Sequence, residues 1–169
     1  MHCYAAFLRA VNVGGTGTLP MADVKLMCAA LGFKNVKTYI ASGNIVFETE
    51  QGETKVRAIL AAEVEKYLGK PIPVFIRTAD ELSTLIHENP FPNVEANKHL
   101  VILLDETPPH DVGFKANHHT DELIAVREKA LHVYYPTGMG KSKLKIAGAE
   151  QGTARNMNTI RKVLELMNE

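Results

Sequence analysis

The stretch VKTYIASGNIVFET, residues 36–49, decides the fold of the first half of the chain. Residues 36–41 and 45–49 are each rich in β-branched and aromatic side chains, which is typical of strands. The three residues between them, Ser42, Gly43 and Asn44, accept the backbone angles of a tight turn. The sequence therefore predicts a β-hairpin.

The segments on either side of this hairpin complete one topology. Upstream, an apolar run at residues 4–11 predicts a strand, and Pro20 opens a helix whose C-terminal cap is Gly32. Downstream, residues 53–68 repeat apolar side chains at helical spacing, and residues 72–77 predict another strand. The order β-α-β-β-α-β is that of ferredoxin-like folds.

The residues after 77 predict a similar order of helices and strands, although it is less regular. Residues 78–81 are typical of a capping box and start a short helix. The elements expected after it are a strand at residues 99–104, a weak helix or loop at 109–117, a hairpin from 122–126 and 130–135, and a last helix over 154–167.

These elements predict an α+β fold built from two pseudo-duplicated ferredoxin-like halves. The N-terminal half comprises residues 1–77, and the C-terminal α+β half comprises residues 78–169. A chain of 169 residues is long enough for two small halves that share one core.

Charge is balanced overall but divided along the chain. The formal net charge of zero argues against general electrostatic binding to nucleic acid. Residues 78–126 contain nine acids and two bases, whereas residues 127–162 contain eight bases and two acids. The basic end creates a positive face around its glycine-rich loop, or it faces the acidic middle directly, and both interpretations stay open.

Several classes of protein lack support in the sequence. Cys3 and Cys28 form no redox motif and no metal-ligand pair, so we expect both to be reduced and buried. The chain begins with no cleavable apolar segment and has no apolar run near the roughly 20 residues of a membrane span, so we expect a cytoplasmic protein without membrane contact. We expect no cofactor. We also expect no metal site, because six of the seven histidines show no i,i+4 helical pair and no carboxylate at a recurring offset: His87, His99, His110, His118, His119 and His132.

The basic end contains a candidate anion-binding loop, PTGMGKSK, at residues 136–143. It is similar to the end of a P-loop, but Tyr135 stands where that motif requires glycine, which excludes a true P-loop. Two interpretations remain. Lys141, Ser142 and Lys143 surround a looser nest of backbone N–H groups that holds an anion, or the segment is a flexible solvated loop.

A second candidate segment, TARNMNT at residues 153–159, opens the last predicted helix. Thr153 is the expected N-cap. Arg155, Asn156 and Asn158 place polar groups near the first turn, where a cation is unfavourable unless an anion or a carboxylate neutralises it. We therefore expect either ligand contact there or an internal salt bridge to the acidic middle.

The first half contributes further candidates for a ligand site. Asn12, Gly14 and Gly15 follow the first strand at one rim of the predicted sheet. Arg9 lies inside an apolar strand, so it should point outward or reach a carboxylate or bound anion. Ser42 and Asn44 join the hairpin strands and are either ligand-binding or simple turn residues.

The chain resembles the DUF1697 family of uncharacterised small bacterial proteins. The resemblance rests on FLRAVNVGG at residues 7–15, LPM at 19–21, LGF at 31–33, YIASGNIVF at 39–47, YP at 135–136, GKSKL at 140–144 and TARNMNT at 153–159. It implies a two-part α+β fold and no established activity. Ala10 departs from an expected glycine, and Met157 departs from an expected tryptophan, which indicates a core position rather than a base-stacking platform.

The sequence therefore predicts binding of a small anionic metabolite or nucleotide that carries a phosphate or carboxylate. No catalytic residue can be nominated, because no nucleophile elbow and no triad pattern is present. The alternatives are a protein–protein interaction module without catalysis and a nonspecific nucleic-acid binder. Nucleic acid is the less favoured partner, because the aromatic spacing of RNA-recognition sheets is missing.

Overall fold

The computed structural model describes residues 1–12 and 18–169, and within them the chain forms an α+β fold. The helices are α1 (Met21–Ala30), α2 (Glu53–Leu68), α3 (Ala79–His87) and α4 (Met157–Met167). The strands are β1 (His2–Leu8), β2 (Lys34–Tyr39), β3 (Asn44–Thr49), β4 (Val74–Thr78), β5 (His99–Leu103), β6 (Leu123–Arg127), β7 (Ala130–Tyr134) and β8 (Thr153–Asn156).

Contacts divide the chain into two compact units. The first unit comprises Met1–Leu82 together with Lys162–Glu169, and the second comprises Ser83–Arg161. Each unit contains one four-stranded antiparallel sheet. The division after residue 77 that the sequence suggests stays a prediction.

The first sheet has the strand order β2-β3-β1-β4. Ala6 of β1 lies opposite Ile45 of β3 and Ile76 of β4, and all three side chains are buried in one apolar cluster. Helix α2 contributes its apolar stripe to the same cluster, and its bounds confirm the prediction from helical periodicity. The predicted cap at Gly32 is also confirmed, with a φ of +84° just after α1.

The second sheet has the strand order β6-β7-β5-β8. Ile102 of β5 and Leu131 and Val133 of β7 form the centre of its apolar cluster, and Val112 and Ile146 pack on them from the connecting segments. Residues 109–117 form turns rather than a helix. The cluster is therefore covered by irregular connecting segments, whose apolar side chains pack against the sheet.

Three local predictions have clear outcomes. The capping box of α3 is confirmed, because the Thr78 N–H donates to Glu81 Oε2 at 2.8 Å and the Glu81 N–H donates to Thr78 Oγ1 at 3.2 Å. The prediction that the first strand continues to residue 11 was wrong, because Ala10 and Asn12 adopt positive φ angles of 54° and 57°. Left-handed backbone cannot continue a strand ladder.

The start of the last helix was also predicted wrongly. Residues 153–156 form β8, which pairs with β5 through Leu100 opposite Asn156, so α4 begins at Met157. Met157 itself is fully buried, in agreement with the core position that its departure from tryptophan indicated.

Candidate functional site

The lysine segment, which we define as residues 141–145, is attached at two points to the chain that precedes β6. The Ser142 hydroxyl donates to Glu122 Oε1 at 2.5 Å. The backbone groups of Lys145 and Asn117 exchange hydrogen bonds of 2.8 and 3.0 Å. Along the segment the side chains alternate, with Lys141, Lys143 and Lys145 exposed and Leu144 packed against the apolar cluster. The segment therefore presents three ammonium groups in a defined place.

Glu122 anchors this arrangement from a buried position, with only 4% of its surface exposed. Its carboxylate accepts hydrogen bonds from Ser142, from the Thr120 N–H at 2.9 Å and from the Thr120 hydroxyl at 3.2 Å. The Ser142 bond is the largest of the effects that lower the pKa of Glu122 to about 2, and burial opposes them. The only proton of the Ser142 hydroxyl is therefore used inside the protein, and Ser142 acts as an anchor.

A groove of about 530 Å³ lies against the lysine segment, and we name it the Lys145 groove. Its walls are mainly apolar and come from Ile102, Tyr135, Leu144 and Ile146. Lys145 and Glu150 also line it. The volume is in the range of pockets that hold small organic ligands.

Arg155 and Asn156 belong to the edge strand β8. The Arg155 guanidinium is buried, and its Nη1 donates to Thr153 Oγ1 at 2.7 Å and to the Ala154 carbonyl at 2.9 Å. Burial lowers its pKa to about 10, so it stays protonated at neutral pH. Asn156 Oδ1 accepts the Thr159 N–H at 2.9 Å. Asn156, rather than the predicted Thr153, therefore caps α4, and Asn158 is exposed in the first turn.

The structure does not bring Ser142 and Asn156 together. Ser142 is bonded to Glu122, which directly precedes the edge strand β6, whereas Asn156 ends the opposite edge strand β8. Strands β7 and β5 lie between them, and three strand spacings correspond to about 14 Å. The Lys145 groove, beside Ile102 of β5, lies on the sheet between these two edges.

In the first unit, the two asparagines that the sequence predicts as ligand-binding residues form hydrogen bonds within turns instead. Asn12 Nδ2 donates to the carbonyls of Leu19 and Ala41 at 2.8 and 2.7 Å, and its Oδ1 accepts the Leu19 N–H at 2.6 Å. Asn44 is buried and donates to the Tyr39 carbonyl and to Ser42 Oγ, both at 2.9 Å. Both amides therefore hold loops together.

The other ligand-binding residues predicted in the first unit are Arg9, Gly14 and Gly15. Arg9 is half-buried just after β1, and among the described residues no carboxylate forms an ion pair with it, so its ligand role stays a prediction. Gly14 and Gly15 lie outside the described residues. Residues 1–12 and 18–169 also contain no group of three metal-ligating side chains and no helix that is long and apolar enough to cross a membrane.

Comparison with known proteins assigns a family. The family model described as "Protein of unknown function (DUF1697)" matches residues 1–134. The chain belongs to the DUF1697 family. This confirms the resemblance seen in the sequence, and the description of DUF1697 names no ligand or reaction.

A solved structure has the same fold as this DUF1697 chain. It is the conserved bacterial protein SP0830 from Streptococcus pneumoniae, with a TM-score of 0.79 and 19% sequence identity. The match covers 98% of each chain. The comparison with curated proteins found no match. Evidence for function in this DUF1697 chain therefore comes from its own geometry.

Sequence reasoning missed three residues that shape this region: Glu122, Tyr135 and Lys145. The alternation of lysine at residues 141, 143 and 145 was a usable signal for Lys145, because alternate residues of an extended segment share a face. Glu122 and Tyr135 carried no comparable signal, since their positions depend on contacts distant in sequence.

Proposed function

We propose that this chain binds a small anionic ligand, a metabolite or nucleotide carrying a phosphate or carboxylate, through the lysine segment. The observation that supports this most is that three exposed lysines alternate along one short segment, which is held by hydrogen bonds from Ser142 to Glu122 and between Lys145 and Asn117. Within the described residues, no carboxylate pairs with Lys141, Lys143 or Lys145. In the same unit, Lys98 and Lys115 each pair with a carboxylate, at 3.9 and 3.0 Å, so the lysines of the second unit that are unpaired in the described chain gather on the lysine segment.

The local charge supports the same proposal. Residues 136–152 contain three lysines and one acid, Glu150, in a chain whose net charge is zero. Like charges held on one short segment repel each other, and a bound anion removes that repulsion. The two attachment points of the segment reduce the ordering that a ligand must impose.

The test is a thermal-denaturation screen with inorganic phosphate, pyrophosphate, citrate and ATP. The variants are K143A/K145A and, as a matched control, K66A/K70A, which removes the same charge from exposed lysines of the first unit. We expect at least one anion to raise the Tm of the wild type and of the control. Removal of two ammonium contacts should weaken binding about tenfold, since exposed ion pairs contribute up to about 1 kcal/mol each.

Two results would contradict the proposal. One is that none of the four anions shifts the Tm, and the other is that both double variants respond equally. The alternative of a nonspecific nucleic-acid binder predicts that a single-stranded oligonucleotide binds instead, with an affinity that falls steeply as salt is added.

We also propose that the two sheets are copies of one ferredoxin-like arrangement. In support, each sheet places its strands in the order second, third, first, fourth along the chain. The second unit departs from the pattern, because no α-helix lies between β5 and β8, a stretch that the structure describes in full. Irregular chain around Val112 and Ile146 takes the place of those helices on the apolar cluster.

A further inference from the structure

We infer that the ligand of the lysine segment is an amphiphile, whose anionic group binds at Lys145 and whose apolar body fills the Lys145 groove. This inference rests on the proposed function and adds the class of ligand. Lysines alone would accept any anion. An apolar groove beside one of them selects anions that carry a hydrocarbon or aromatic portion.

The walls of the groove are part of the apolar cluster of the second unit. Ile102 and Ile146 are 8% and 6% exposed, and Tyr135 and Leu144 pack against the same cluster. The groove is thus an opening onto a packed core, formed where the irregular segment at residues 144–150 lies against the sheet. An apolar ligand portion placed there removes its own surface and that of the walls from water, which favours binding.

Two polar groups set the orientation of the ligand. The Tyr135 hydroxyl has no hydrogen-bond partner in the described part of the chain. Burial, and secondly the Glu122 carboxylate, raise the pKa of the Tyr135 phenol, so it keeps its proton at neutral pH and can donate to an anion. Lys145 supplies the positive charge at the same groove.

Glu150 disfavours an anionic group in the part of the groove that it lines. Its carboxylate lines the same groove and, in the described chain, forms no ion pair with Lys145. It therefore repels an anionic group and favours an orientation in which the charged end lies away from it. The E150Q variant should bind anionic amphiphiles more tightly than the wild type.

The experiment measures affinity for butanoate, hexanoate, octanoate and decanoate by isothermal titration calorimetry. If the hydrocarbon enters the groove, Kd should fall with length, by up to about fourfold for each added CH2. The uncharged analogue 1-octanol should bind more weakly than octanoate. K143A/K145A should weaken binding of every acid by a similar factor, and K66A/K70A should leave it unchanged.

A variant that fills the groove tests the contribution of the hydrocarbon portion separately from that of the anionic group. The A149F variant places a ring at a groove position, and it should remove the dependence on chain length while short anions still bind. A second measurement uses the unmodified protein and therefore does not depend on how A149F folds. The Tyr135 ring resonances in a 1H–13C NMR spectrum should move with octanoate and much less with butanoate.

The outcomes distinguish the inference from the proposed function. Binding of phosphate, citrate or butanoate that depends on Lys143 and Lys145 but not on chain length overturns the inference and leaves the proposed function in place. Binding of octanoate and 1-octanol with equal affinity, unaffected by K143A/K145A, also overturns the inference, whereas the proposed function is overturned by the two results of the anion screen described above. Loss of length dependence in A149F, together with the Tyr135 shifts, supports both.

Discussion

At the scale of single residues, the backbone around Ile40 is strained. Ile40 has a φ of +51°, which is a costly conformation for a β-branched residue, and its side chain is 52% exposed. Ala10 and Asn12 are also left-handed, and the Asn12 amide binds the Ala41 carbonyl at 2.7 Å. Three left-handed residues thus meet where two turns of the first unit are hydrogen-bonded to each other.

Replacing Ile40 by glycine should stabilise the protein. Glycine adopts positive φ without a Cβ clash, and little apolar burial is lost because the isoleucine is half exposed. We expect the free energy of unfolding in urea to rise by about 1 kcal/mol. A decrease of that size instead would show that the buried part of the isoleucine stabilises the protein by more than its backbone strain costs.

The neighbouring Gly43 provides the opposite control. Its φ is +87°, and an added Cβ would lie 2.8 Å from Val11 Cγ2 and 2.9 Å from Leu8 Cβ. Gly43→Ala should therefore destabilise the protein by more than about 1 kcal/mol in the same assay.

At the scale of elements, the boundary between β8 and α4 is set by one side chain. Asn156 is the last residue of the strand, and its Oδ1 caps the helix by accepting the Thr159 N–H. The polar cluster at residues 153–159 therefore contains both a strand end and a helix start. Its arginine is buried and bonded to Thr153 and Ala154, as an inward-facing strand residue.

Asn156→Ala should lower the free energy of unfolding by about 1 kcal/mol, because the cap hydrogen bond is lost. Asn158→Ala is the matched control. Asn158 is exposed within the first turn, where alanine is the better helix former, so this change should be neutral or slightly stabilising. Urea denaturation of both variants, with Asn156→Asp as a cap-preserving variant, checks the assignment. Equal effects of the two alanine changes would contradict it.

At the scale of the whole molecule, stability should depend on pH through a buried histidine pair in the second unit. His99 Nε2 and His132 Nδ1 are 2.9 Å apart, and both side chains are at most 1% exposed. Burial, with Arg161 as the second cause, lowers the pKa of His99 to about 4. Burial, followed by His99 and Arg127, lowers the pKa of His132 to about 3.

The direction of the pH effect follows from these pKa values. Each ring is neutral in the folded state and takes up a proton in the unfolded state near its ordinary pKa of about 6.5. Stability is therefore fully present above that value and is lost as the pH falls from about 6.5 toward 4. Between pH 7 and pH 5 we expect a loss of about 1 to 2 kcal/mol for each ring.

Urea denaturation from pH 7.5 to 5 measures this loss. In an H99L/H132L variant the slope over that range should be much smaller, and the ring 15N shifts of His99 and His132 in the wild type should report neutral imidazoles at pH 5. Protonation of Glu122 does not contribute to the loss between pH 7.5 and 5. Its lowered pKa contributes stability that is lost only between about pH 4.5 and 2. Protonation of His99 and His132 near pH 6.5 in the folded protein would contradict the prediction.

Much of the fold could be predicted because its signals are local. The stripe of α2, the Gly32 cap and the capping box at Thr78 each lie within a few neighbouring residues. Strand β8 escaped prediction because its four residues have no strand pattern of their own. Its hydrogen bonds come from β5, about fifty residues earlier in the chain.

The features of the candidate site also fall into those that the sequence determined and those that only the fold decided. The sequence by itself determined that positive charge gathers near the end of the chain and that lysines alternate at residues 141, 143 and 145. Only the tertiary structure decided that Ser142 is bound to Glu122, that Asn156 ends an opposite edge strand, and that an apolar groove lies beside Lys145. The physical reason is that composition and periodicity are properties of neighbours along the chain. A hydrogen bond or groove instead depends on which distant segments the packed sheet brings together.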